Sequence, residues 1–70
     1  MGKKFLINKM VRSYWVRHGK EERLPSVNPD RIRGYHGIQK IVAYRNEFQS
    51  QEAKKVLLGY EVKGAEIVWI

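Results

Sequence analysis

The chain has no cysteine, and at seventy residues that absence sets the terms on which it can fold. Neither a disulfide framework nor a thiolate metal site can stand in for a core. A domain of this size buries only about 60% of the surface its unfolded chain exposes. Nearly every large apolar side chain is therefore needed inside. With 43% hydrophobic residues and 11% aromatics, the composition is that of a globular chain. A single domain over 1–70 is expected. No apolar run approaches the ~18 residues of a membrane span, and Phe5-Leu6-Ile7 breaks at Asn8-Lys9, too early for a signal core. These features lead to the expectation of a soluble, cytoplasmic protein with no membrane partner.

The most regular segment lies near the C-terminal end. Ser50 has the side chain of an N-cap for Gln51-Glu52-Ala53-Lys54-Lys55-Val56-Leu57-Leu58, and Gly59 is placed to end that helix. Glu52 in the first turn and the lysines further on follow the helix dipole. Tyr60-Glu61-Val62 and Ala65–Ile70 then read as extended, with Lys63-Gly64 as a bend. Before the helix, Ile38, Val42, Tyr44 and Phe48 fall on one side of an extended segment. A strand–helix–strand unit over about 38–70 results.

Two shorter patterns precede it. Asn28-Pro29-Asp30-Arg31-Ile32-Arg33-Gly34 reads as one helical turn, with Asn28 as cap, Pro29 at the first position and Gly34 as the left-handed stop. Over residues 5–18, Leu6, Ile7, Met10, Val11, Tyr14, Trp15 and His18 repeat at three–four spacing, which predicts an amphipathic helix. The run Val11–Val16 nevertheless suits pleated backbone, and Lys3 and Lys4 oppose a helix start, so a meander with turns at Asn8-Lys9 and at His18-Gly19-Lys20-Glu21 stays open. The fold class is α+β: a small antiparallel or mixed sheet covered by one or two helices, with a basic loop region at 17–36.

Charge narrows the function. The net charge is +7, and residues 1–45 hold eleven Lys/Arg against three acids, a net +8; residues 46–70 hold three against four, a net −1. A field this lopsided attracts polyanions. Lys9, Arg12, Arg17, Lys20, Arg23, Arg31 and Arg33 are the candidate phosphate contacts, and Tyr35, between glycines and basic residues, is the candidate exposed stacking group. Trp15, Tyr44, Phe48 and Trp69 are assigned to the core, which needs their volume.

Catalysis finds little support. The one adjacent acid pair, Glu21-Glu22, sits in a charge cluster rather than in two unlike environments. His18 and His36 lie far apart in sequence with no cysteine near, so no metal or other cofactor is expected. Nucleophile elbows and phosphate loops are missing. A small basic ribonuclease, with His36 beside Arg31 and Arg33, is the one enzymatic reading that survives, and a plain phosphate contact accounts for the same loop.

Gly34-Tyr35-His36-Gly37 resembles the Gly-x-x-Gly loop of KH domains, where glycines let backbone approach phosphate; the interval before Ser50 is too short for that fold's additional strand pair. Phe48-x-Ser50-x-Glu52-Ala53 resembles the strand-to-helix segment of small three-stranded DNA-binding sheets of the phage-integrase arm-binding and plant AP types. That resemblance implies a hairpin over 13–27, with Trp15, Arg17, Lys20 and Arg23 facing a groove. Neither pattern is long enough to assign a family. The expected function is non-catalytic binding of DNA or RNA through phosphate contacts. The alternative is a small interaction or inhibitor module, phage-type or an assembly subunit, that engages an acidic protein or associates with itself through Ile67, Trp69 and Ile70.

Overall fold

A computed structural model describes residues 10–70. The elements are strands β1 (Tyr14–Arg17) and β2 (Lys20–Arg23), a single turn α1 (Pro29–Ile32), strand β3 (Ile38–Ala43), a 3-10 turn at Arg45–Glu47, helix α2 (Gln51–Val62) and strand β4 (Glu66–Trp69). The four strands make one sheet in the order β2-β1-β3-β4. β1 pairs antiparallel with both β2 and β3, and β4 lies parallel to β3. Parallel neighbours need a long crossover, which α2 provides. The fold is a small α+β domain with a mixed sheet and one main helix.

The N-terminal helix expectation fails for the residues described; positions 1–9, and with them Lys9 and the Asn8-Lys9 turn, lie outside them. Tyr14-Trp15-Val16-Arg17 is strand, as its aromatic and β-branched side chains favour. His18 (φ 53°) and Gly19 (φ 79°) both take left-handed backbone, the pattern of a two-residue type I′ hairpin turn. Gly19 adopts this at no steric cost. β2 is all charged, Lys-Glu-Glu-Arg, a poor strand former in isolation. It is recruited by β1, and its charges suit an edge position because they discourage further pairing.

The Asn28 turn forms as its sequence indicates: Asn28 Oδ1 accepts from Asp30 N–H at 2.9 Å, Pro29 opens the turn, and Gly34 is left-handed. In α2, Ser50 Oγ accepts from Ala53 N–H at 3.1 Å. The helix then runs through Gly59 to Val62, so neither the stop at Gly59 nor the extended Tyr60–Val62 is found. Tyr60 explains this. It continues the buried stripe Ala53–Leu57–Tyr60, and its hydroxyl donates to the Ile32 carbonyl while accepting from Tyr35 N–H at 3.2 Å. Burying one tyrosine outweighs the ~1 kcal/mol helix cost of a glycine. The stop comes at Gly64 (φ 107°): Gly64 N–H reaches the Glu61 carbonyl at 2.9 Å and Ala65 N–H the Tyr60 carbonyl at 3.0 Å, a Schellman closure.

The core lies between one face of the sheet and the helices. Trp15, Ile41 and Ala43 from the sheet meet Ile32 of α1 and Ala53, Leu57 and Tyr60 of α2, with Leu24, Phe48 and Ala65 closing the margins. Tyr35 and Tyr60 approach Trp15 edge-on at centroid distances of 4.9 and 6.3 Å. Phe48 meets Trp69 in the same way at 6.4 Å. An irregularity opposite Val16/Arg17 pairs Lys40 with Val16 but Ile38 with Arg17. That bulge puts Ile38 on the helix side with Ile41 and Ala43, while Lys40, Val42 and Tyr44 point away. Ile38, Val42, Tyr44 and Phe48 therefore do not share a face, and Tyr44 is not a core residue.

Candidate nucleic-acid interface on the open face of the sheet

Strand alternation divides the sheet into two surfaces. The helices cover the one that carries Trp15, Ile41, Ala43, Ile67 and Trp69. On the other, the strand registers set Arg23, Tyr14, Val42 and Val68 in one row and Glu21, Val16, Lys40 and Glu66 in the next. Arg12, Tyr44 and Ile70 extend the first row at its far side by the same alternation. Val42 is 4% exposed yet stands outside the core cluster. Among the described residues no helix packs there.

The two halves of this surface differ in charge. The half made of Arg12, Tyr44, Ile70, Arg23, Tyr14, Val42 and Val68 has no acid at its strand positions, whereas Glu21 and Glu66 flank Lys40 in the other. The Arg12 guanidinium lies over the Tyr44 ring at 4.6 Å, a cation–π pair. Arg23 is oriented by one guanidinium N–H donated to the Val11 carbonyl at 2.9 Å.

Glu47 is the nearest carboxylate, and it is engaged by the backbone. It accepts from Arg12 N–H (2.8 Å), Ser13 N–H (3.0 Å) and Ser13 Oγ–H (2.6 Å), and Ser13 Oγ in turn accepts from Tyr44 N–H at 2.9 Å. Partial burial pushes this carboxyl up, but the Ser13 hydroxyl, the two backbone N–H groups and the Arg12 charge together hold it below its ordinary 4.5. The network thereby fixes the start of β1 to the end of β3, which sets Arg12 beside Tyr44.

The residues proposed from sequence do not form one patch. Arg12 and Arg23 reach the open face, and Lys20 is exposed at the hairpin turn. Arg17 turns to the covered side, where its Nε bonds Glu22 at 3.0 Å and its guanidinium stands 5.3 Å from the Tyr35 ring centre. The Arg17 hydrogen bond, with one from Trp15 Nε1–H, lowers the Glu22 pKa. Arg31 lies on α1 and Arg33 just after it, in the helical layer; Arg33 pairs with Asp30 at 3.4 Å and shares a shallow cleft with Glu52, Lys55 and Val56. Tyr35 is half-buried against Trp15, not exposed as expected, because the loop folds over the edge of the core. Trp15 is 1% exposed and faces no groove. Ile67 and Trp69 also pack toward the core, while Ile70 is 53% exposed.

Tyr14, Lys40 and Tyr44 belong to the surface but were not among the candidate contacts. The signal that marks them is the absence of apolar alternation in β1: Tyr14, Trp15 and Val16 are all large because both faces need them. Among the described residues no cluster of three or more His, Asp or Glu could hold a metal ion, and no helix is long and apolar enough to cross a membrane. No protein-family model matches the chain, and neither does any curated protein or solved structure.

Proposed function

We propose that this protein binds nucleic acid without catalysing a reaction on it, and that the open face of the sheet is its contact surface. One observation carries the reading: two arginines and two tyrosines, Arg12, Arg23, Tyr14 and Tyr44, share a half-face that no described helix covers and whose strand positions carry no acid. Arginine supplies charge-assisted contacts to phosphate, and flat rings accept bases. The net +7 of the whole chain adds long-range attraction.

Binding measured by anisotropy across a salt series tests the reading. Affinity is expected to fall with salt, with a log–log slope of about −2 to −4 for the three or four phosphates that Arg12, Arg23, Lys20 and Lys40 can neutralise. Arg12→Gln with Arg23→Gln should flatten that slope by about 1.5. Arg31→Gln with Arg33→Gln, on the helical layer, should flatten it less. Equal losses from both pairs would move the interface off the sheet, and affinity indifferent to salt would refute it.

A second reading, a protein-binding module, rests on a different place. Leu58 and Val62 lie one turn apart on α2 and are 57% and 80% exposed. Leu58→Glu with Val62→Glu should leave nucleic-acid affinity unchanged; loss of self-association in sedimentation would favour this second reading.

A further inference from the structure

Resting on that reading, we infer that the open face takes a single strand, two or three nucleotides of which lie across the β-strands from β2 toward β4. The argument starts from where phosphate is admitted and where it is repelled. Glu21 on β2 and Glu66 on β4 stand at the two ends of one row, so a polyanion centred on that row meets a carboxylate at each edge. One row along the strands, Arg23 and Tyr14 lie side by side on β2 and β1. Arg12 and Tyr44, just before β1 and just after β3, continue that cationic and aromatic surface.

The admitted zone is thus long across the sheet and short along it. Four strands span about 14 Å, whereas two rows of side chains on one face span only about 7 Å. A nucleic-acid backbone that follows the arginines must cross the strands within that band. Duplex DNA offers phosphates on both sides of a groove, and a groove seated here would press one of its walls onto the Glu21–Glu66 row. A single strand needs only one line of phosphates, and its unstacked bases can turn down onto the sheet.

The floor is suited to bases rather than to phosphate. Tyr14 and Val68 are half-buried and flank Val42, which is 4% exposed and closes the floor between them. The Arg12 guanidinium lies over the Tyr44 ring, and a guanidinium plane can itself stack on a base. Two such platforms match the two or three bases that a four-stranded sheet of this kind can stack.

The test compares a fluorescein-labelled 12-mer DNA single strand, the same sequence as RNA, and the corresponding DNA duplex, at one salt concentration near physiological. Both single strands are expected to bind at least about tenfold more tightly than the duplex. Tyr14→Leu should weaken single-strand binding by roughly 5- to 100-fold without altering the salt slope, because it removes stacking and no charge. Tyr14→Phe should retain binding, and a melting curve for each variant shows that the domain is folded. A duplex that binds as tightly as the single strand, or a folded Tyr14→Leu variant with unchanged affinity, overturns the single-strand mode while leaving nucleic-acid binding in place. No salt-dependent binding to any of the three probes overturns both.

Discussion

The two faces of the sheet are built from the same strands, yet they answer to different constraints. On the covered face Trp15, Ile41 and Ala43 are at most 1% exposed and packed by the helices. One residue away along the chain, Tyr14, Lys40 and Tyr44 stand half-buried on a surface that no described helix covers. Side chains of similar size thus do unlike work according to the parity of their position. The covered face decides whether the chain folds. On the proposed function, the open face is where changes alter binding without unfolding the chain.

The strongest challenge to this division is a pair of adjacent substitutions. Trp15→Ala empties the centre of the core, a loss of about 3–5 kcal/mol. A domain of this size holds no more than about that in total, so the variant should be unfolded by circular dichroism at room temperature. Tyr14→Ala should cost less than about 1 kcal/mol, the span of strand propensities on a half-exposed face, and leave a cooperative melt. If Tyr14→Ala melted as low as Trp15→Ala, the open face would be structural too.

A middle-sized effect is expected at Glu47, which joins the faces by tying Arg12 and Ser13 to the turn after β3. Glu47→Ala removes a charged acceptor from three donors and should cost about 1–3 kcal/mol. Because the folded pKa is held below 4.5, the carboxylate contributes stability that is present above that value and is lost as pH falls through the lower, folded pKa. Thermal melts from pH 6 down to pH 2.5 should show this decline in the parent and a shallower one in Glu47→Gln. Identical pH profiles would assign the acid sensitivity to other carboxylates.

The smallest effect sharpens the comparison from the opposite side. Gly59 is helical, and a Cβ there would meet nothing within 4 Å. Gly59→Ala should therefore stabilise by about 0.5–1 kcal/mol. Since the helix touches only the covered face, nucleic-acid affinity should not change. A shift in affinity would mean that the helical layer and the open face are coupled.

How much of this was legible beforehand depends on how local the controlling interaction is. The Asn28 and Ser50 caps close within three residues, and both could be read directly. The hairpin stood only as an alternative to a helix. Val11, Tyr14, Trp15 and His18 fit a helical period because large side chains are needed on both faces of β1, which erases the alternation that marks a strand. Gly59 misled for a related reason: the stop it suggests is local, whereas the contact that overrides it, Tyr60 to Ile32, spans 28 residues. Of the candidate contacts, Arg12, Lys20 and Arg23 proved to be on the open side or the hairpin turn, while Arg17 and Tyr35 folded in toward Trp15.

By itself, the sequence determined the α+β class, the two capped turns, the helix start and the excess of positive charge, because each depends on composition or on neighbours a few residues apart. Only the tertiary structure decided where that charge is gathered. The bulge between β1 and β3 turns Ile38 inward and Lys40, Val42 and Tyr44 outward, and no local preference specifies it. The antiparallel register then brings Arg23 beside Tyr14, and the Glu47 network sets Arg12 against Tyr44. Side-chain parity is fixed by pairing between distant segments, and a one-residue slip would send every one of these groups to the other face.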